Sequence, residues 1–376
     1  MIKMFGLYVH IPFCKNICSY CDFYKMRAKA SEKIKYMGYL TKEIALLKKE
    51  DLPPIQTIYI GGGTPSSLPI TELRTLFIHL DTITDLQLLK EFTIELNPED
   101  ITVELASLLK EFHLSRLSIG IQSFDPYVQE VLGRHHQYDD LKDKVLMLRN
   151  LGFNNLNFDY IYGIPETNLI KIKNDLDLLL SLKPQHLSCY SLILEEKTML
   201  FHQFRKGFFN PIDEDLEAKM YDTIKDYLSS YGFVHYETSN FALPGYESLH
   251  NLIYWSNNRY RGIGAGSSSY VGNRRFKTIS NLKKYYEGID QGIITLSENI
   301  TLTVYDQMKE EVMLGLRKTQ GINLSNFYER YNYHLIDVFP KIKAFLDQKA
   351  LILSNNFLAI SPDKQYVANY ILREIL

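Results

Sequence analysis

With 376 residues, 45% of them apolar and 23% charged, the chain can bury a large core in two or three domains. A formal net charge of −2 excludes the global basic field that would draw it to nucleic acid or an anionic membrane, and no apolar run approaches the roughly 18 residues that span a bilayer. Four cysteines, three of them within eight positions, exclude the disulfide framework of a small secreted domain, and the apolar start over residues 4–13 lacks a cleavage site, so a cytoplasmic protein is expected.

From residue 6 to about 194, short β-rich runs alternate with segments of helical period. Strands are predicted over 6–11, 57–60, 92–96, 116–121, 155–160 and 187–193. Amphipathic stretches such as 34–49, 103–112, 141–151 and 169–182 are long enough for crossover helices. This rhythm predicts an α/β fold in which residues 1–210 form a partial (β/α)6 TIM-type barrel, with a doubly wound sheet as the alternative. Residues 211–290 follow as an extension packed on the barrel, with a helical run over 214–231 and an aromatic, glycine-rich stretch over 235–270. From 291 onward, helical periods over 305–316, 324–331 and 340–348 precede a hairpin-like segment at 351–360, which predicts a C-terminal helical, winged-helix-like domain.

The segment HIPFCKNICSYCDFY puts Cys14, Cys18 and Cys21 in the loop after the first strand. Thiolates must converge on separate irons at the corners of a cluster, and an irregular loop with C-x3-C-x2-C spacing lets three do so while one iron stays open. Structural zinc wants four closed ligands, and the nearest additional candidates, His10 and Asp22, complete no familiar pair of pairs. Cys189, the remaining cysteine, lies inside the sixth predicted strand and reads as a packing residue.

Parallel α/β sheets bind ligands at the carboxyl ends of their strands, and polar residues gather there. The second strand runs into Gly61-Gly62-Gly63-Thr64, where backbone carbonyls could meet an ammonium group; a plain tight turn reads almost as well. Glu95 and Asn97 end the third strand, Gln122 and Ser123 the fourth, and Asp159 the fifth.

The cysteine spacing, with Tyr20 just before the last cysteine, resembles the radical S-adenosylmethionine superfamily. IYIGGGTPSSL, TIELNPED, RLSIGIQSFD with LGRHH, FDYIYGIP, HLSCYSL, YETSNFALPGYESLHNLIYW and YRGIGAGSSSY narrow the resemblance to the oxygen-independent coproporphyrinogen III oxidase group, over about residues 6–275. That resemblance implies a [4Fe-4S] cluster on Cys14, Cys18 and Cys21, with S-adenosylmethionine on its open iron touching Tyr8, Gly62 and Glu95. In the oxidases a second ligand molecule is contacted at positions matching Tyr20, Gly63, Thr64, Gln122, Arg134 and Asp159.

Within the group, two departures point to the heme-chaperone branch. Decarboxylating members resemble this chain but carry a further cysteine where Phe23 stands, and an extension before the first strand, which here begins almost at Met1. The HNLIYW run, His250 to Trp255, is similar to a chaperone signature and offers His250 as a heme ligand; aromatic packing between domains is the competing reading. The residues after Gly262–Gly266 are serines where many relatives carry a histidine, and His135 and His136 read as surface residues. The resemblance thus implies heme as a ligand, a heme-acceptor protein and an electron donor such as a flavodoxin or ferredoxin as partners, with oxidative decarboxylation of coproporphyrinogen as the alternative activity.

Overall fold

The computed structural model describes residues 4–376, and among them a twelve-stranded sheet forms the body of the molecule. Six strands lie side by side in chain order and parallel: β1 (Gly6–Ile11), β2 (Thr57–Gly62), β3 (Glu91–Leu96), β4 (Arg116–Gln122), β5 (Leu156–Tyr162) and β6 (His186–Ser191). Crossover helices Ala30–Leu47, Ile70–Asp81, Val103–Glu111, Tyr138–Asn150 and Leu169–Ser181 join them. Glu214–Ser230, which follows β6 and packs on Leu169–Ser181, completes the sixth βα unit of the partial barrel. Ile70–Asp81 and the short helix Pro126–Leu132 are additions to the elements expected from the sequence.

The sheet does not end with the sixth strand. β7 (Val234–Glu237) and β8 (Asn240–Ala242) extend it antiparallel beyond β6. Beyond β1 come β9 (Tyr260–Ile263), parallel to it, and then antiparallel β10 (Ser268–Val271), β11 (Arg274–Thr278) and β12 (Leu296–Thr301). Residues 211–290 thus supply strands of the barrel sheet as well as packing on it, and β12 continues that sheet past the expected boundary at 291.

Alternation along the six central strands decides what the barrel encloses. Leu7, Val9, Ile11, Ile58, Ile60, Phe92, Ile94, Leu117, Ile119 and Phe158 are at most 1% exposed and share one core with Leu40, Ile44, Leu73 and Leu76 of the surrounding helices. The intervening positions point inward and are polar: Tyr8 and His10, Thr57 and Tyr59, Thr93 and Glu95, Arg116 and Ser118, Asn157 and Asp159, His186 and Ser188. A lumen lined with groups that need hydrogen-bond partners is built for polar ligands rather than for packing alone.

The C-terminal unit has its own core around Val312, Leu316, Phe327, Ile342, Leu358 and Ile371. Helices Val304–Gly315, Leu324–Tyr331 and Ile342–Asp347 pack on a small antiparallel sheet in which β15 (Phe357–Ile360) lies between β13 (Ile322–Asn323) and β14 (Leu351–Ser354). A last helix, Ala368–Ile375, closes the unit. Among the described residues no helix is long and apolar enough to cross a membrane.

Candidate functional site

The chain leaves β1 through Pro12 and Phe13 into a loop whose neck is closed by two backbone bonds, Cys14 N to Met26 O at 3.0 Å and Met26 N to Pro12 O at 2.7 Å. Its tip is pinned from outside: Ser19 Oγ donates to Val131 O at 2.6 Å, and Leu200 N to Ser19 O at 2.9 Å. Held in this way, Cys14, Cys18 and Cys21 all face one cavity of about 410 Å³ at the carboxyl ends of the central strands. Burial pushes the Cys14 and Cys21 thiols above the ordinary range, so binding a metal there would release protons. Among the described residues no three His, Cys, Asp or Glu side chains form a group suited to one metal ion.

The strand ends supply the rest of the wall. Gly62 has φ +115°, and a Cβ there would lie 2.5 Å from the His10 ring, so only glycine fits. Its N–H donates to Glu95 Oε2 at 3.1 Å, while Tyr59 Oη donates to Glu95 Oε1 at 2.8 Å. Burial raises the Glu95 carboxyl to about 7 despite these two donors. Gly63 N and Thr64 N are spent on Ile11 O and Phe13 O, both at 2.8 Å, which sews the glycine run to the cysteine loop.

A chain of side chains runs from the far wall to the first thiol. Arg134 Nη1 donates to Asn97 Oδ1 at 2.8 Å, Asn97 Nδ2 to Thr64 Oγ1 at 3.3 Å, and Thr64 Oγ1 to Cys14 Sγ at 3.5 Å. Gln122 holds φ +72° beside an irregularity in the β4–β5 register, a strained backbone of the kind that gathers at functional sites. Asp159 accepts from Asn157 Nδ2 at 2.8 Å, and burial raises its carboxyl.

Ser123 turns away to Asp175, but of the cofactor- and metal-binding residues that the resemblance implies, the three cysteines, Tyr20, Gly62, Gly63, Thr64, Glu95, Gln122, Arg134 and Asp159 all line this cavity. Two do not. Tyr8 bonds His10 Nδ1 at 3.0 Å, with His10 Nε2 on Tyr24 O at 3.0 Å, and its ring lies 6.3 Å from that of Tyr59; it backs the wall rather than forming it.

His250 lies apart from the cavity. It is 0% exposed, with Nδ1 on Thr57 Oγ1 at 2.8 Å and Nε2 on Tyr254 Oη at 2.9 Å. Thr57 opens β2, so the histidine lies at the amino ends of the strands, away from the cysteines, and neither ring nitrogen is free to ligate heme. Its helix, Leu249–Trp255, plugs the barrel: Glu91, the first residue of β3, accepts from Ser248 Oγ at 3.2 Å, Leu249 N at 2.9 Å and His250 N at 3.0 Å. These contacts favour the packing reading of HNLIYW, although Asn251 reaches the cavity from below. His136 is likewise buried, against Phe124, and not a surface residue.

Sequence reasoning missed Tyr59, Arg116, Ser118, Asn157, Ser188 and Tyr190, which also line the cavity. A signal existed: polar side chains at every second position of strands covered by helices on their other face.

The sequence profile of the Radical SAM superfamily matches residues 8–179, and that of the HemN C-terminal domain matches residues 302–363. The chain is 37% identical to the heme chaperone HemW of Bacillus subtilis over 351 residues, 93% of each chain. It is 37% identical to the heme chaperone HemW of Lactococcus lactis over 92% of this chain and 90% of the other. Among solved structures, coproporphyrinogen III oxidase (HemN) from Escherichia coli superposes with a TM-score of 0.86 at 21% identity, covering 99% of this chain and 89% of that one.

Proposed function

The chain belongs to the heme chaperone HemW family of the radical S-adenosylmethionine superfamily, and on that premise we propose that it holds heme and passes it to an acceptor protein in the cytoplasm. The observation that carries this reading is that likeness to these chaperones runs through nearly the whole chain, the C-terminal unit as well as the barrel. Membership implies a [4Fe-4S] cluster and S-adenosylmethionine. The donor set fits: three thiols face one cavity, and Cys189 is buried in β6 among the core residues between sheet and helices.

Cys14, Cys18 and Cys21 would hold three irons and leave the fourth open. S-adenosylmethionine bound there can take one electron from the cluster, replenished by a donor such as a flavodoxin or ferredoxin. Gly62 and Glu95 would face that ligand, and Tyr8 would act through Tyr59 and His10 rather than by touching it. Tyr20, Gly63, Thr64, Gln122, Arg134 and Asp159 form the remaining wall, where a second molecule would lie.

Heme has a different address from His250. Phe23 and Ile193 line the mouth of the cavity, 67% and 68% exposed. Apolar side chains held in water at the rim of a ligand cavity suit a flat apolar macrocycle. Phe23 also puts hydrocarbon where the decarboxylating relatives carry a thiol.

Heme titrated into anaerobically reconstituted protein, with and without S-adenosylmethionine, is expected to give a saturable Soret shift; its absence rejects heme binding. Reduced holo-protein incubated with coproporphyrinogen III and S-adenosylmethionine is expected to leave the substrate intact. Protoporphyrinogen as a product would replace the chaperone reading with decarboxylation.

A further inference from the structure

Arg116 is the one arginine of the barrel floor, and neither the cysteine loop nor the strand-end residues account for it. It opens β4 opposite Thr93 of β3, points into the lumen, and is 1% exposed. Its Nε has no partner, and among the described residues its guanidinium enters no salt bridge. The other buried or half-buried arginines have acceptors: among the described residues Arg134, Arg149 and Arg259 also form no salt bridge, and Arg134 Nε is likewise unpartnered, but their remaining guanidinium nitrogens donate to Asn97 Oδ1, to Phe153 O and Lys183 O, and to Asn257 O and Gln307 Oε1. Arg261 lies 2.8 Å from Glu50, Arg275 lies 2.7 Å from Glu310, and Arg330 pairs with Glu311.

A buried guanidinium without a counter-charge is costly, because the water it gave up is not replaced. The two nearby carboxyls do not make good the loss. Glu95 is committed to Tyr59 and Gly62, Asp159 to Asn157, and burial raises both. Apart from those two carboxyls, what faces the cavity beside Arg116 is uncharged: Ser118, Asn157, Ser188, Tyr59 and Asn251.

We propose that Arg116 binds the carboxylate of a ligand seated on the floor of the cavity. The charge count selects the class. One guanidinium among hydroxyls and amides offsets a single negative charge, and its planar fork matches two carboxylate oxygens, whereas a phosphate calls for more cations or a helix amino terminus. The inference rests on the cavity being the ligand site of the proposed function. That carboxylate has two sources, a heme propionate or the amino-acid end of an S-adenosylmethionine molecule.

The test compares acid with non-acid forms of each ligand on cluster-loaded protein: heme against its dimethyl ester, and S-adenosylmethionine against its decarboxylated form. In R116M, one ligand pair is expected to lose roughly ten- to hundredfold of its preference for the acid, the loss of a charged hydrogen-bonded contact. The pair that loses it names the source. R116K, which keeps the charge without the fork, recovers part of the preference. Ligand-free R116M melts at or above the wild-type temperature, since an uncompensated buried charge has been removed. Unchanged preferences in both R116M and R116K overturn the proposal, as does a lower melting temperature of R116M with unchanged preferences in R116K, which makes Arg116 a support of the fold. Wild-type protein that binds none of the four ligands overturns the proposed function and this inference with it, whereas tight binding indifferent to residue 116 overturns this inference alone.

Discussion

Tyr59 Oη donates to Glu95 Oε1 at 2.8 Å, so β2 presents a phenol to the carboxyl that β3 delivers to the cavity. Together with Gly62 N–H on the other oxygen, it fixes the carboxyl plane while burial holds its titration near neutrality, at about 7.

That value sets a pH dependence for the cationic ligand. Below pH 7 Glu95 is mostly neutral; above it, a carboxylate would face the cationic ligand. Binding of S-adenosylmethionine to reconstituted protein should strengthen roughly tenfold between pH 6 and pH 8, following the ionised fraction, and calorimetry on E95Q should show no such rise. The sign for stability is opposite. The folded carboxyl titrates above its ordinary value of 4.5, so its contribution to the ligand-free fold is intact below about 4.5 and lost as pH rises through about 7. Ligand-free wild type should therefore lose ground to E95Q over that interval in urea titrations.

Gly62 cannot be replaced cheaply. In G62A the methyl group meets the His10 ring, and φ +115° is strained for any other residue. We expect a loss of about 1–3 kcal/mol in chemical denaturation from backbone strain. Displacing His10 would also break its bonds to Tyr8 and Tyr24, so weakened S-adenosylmethionine binding should accompany the loss. Unchanged binding in folded G62A would show that the glycine run is only a turn.

His250 should behave as a structural residue. H250A leaves Thr57 Oγ1 and Tyr254 Oη without their partner in a closed interior, a cost of roughly 2–5 kcal/mol. Its melting temperature should fall, while the Soret maximum of bound heme stays where wild type has it. A displaced maximum at undiminished stability would restore His250 as a ligand.

The four cysteines should divide three to one. C14A, C18A and C21A are expected to lose the iron–sulfur absorbance and most acid-labile sulfide after anaerobic reconstitution. C189A, inside β6, should keep both and lose about 1 kcal/mol to a small cavity. Protein reconstituted with about one zinc and no sulfide would instead make the loop a zinc site.

The cysteine loop and the six βα units are readable in the sequence because both are local. Thiol spacing within one loop and hydrophobic period within one element depend on neighbours along the chain. For the same reason the sequence alone assigns Glu95 and Gln122 to the ends of strands, whereas Asp159, expected at the end of the fifth, lies in the middle of β5. Other features depend on segments far apart in the chain. That β9 to β12 extend the sheet beyond β1, and β8 and β7 beyond β6, follows from pairing between distant segments that leave no periodic mark in short strands. His250 and Asn251 are adjacent in sequence, yet one is locked between Thr57 and Tyr254 and the other reaches the cavity, because a helix plugging the barrel turns its successive side chains in different directions. Arg116 reads in sequence as an ordinary strand-opening charge. Only the closing of the sheet around it buried its guanidinium without an ion pair among the described residues, and so marked it as a group suited to a ligand.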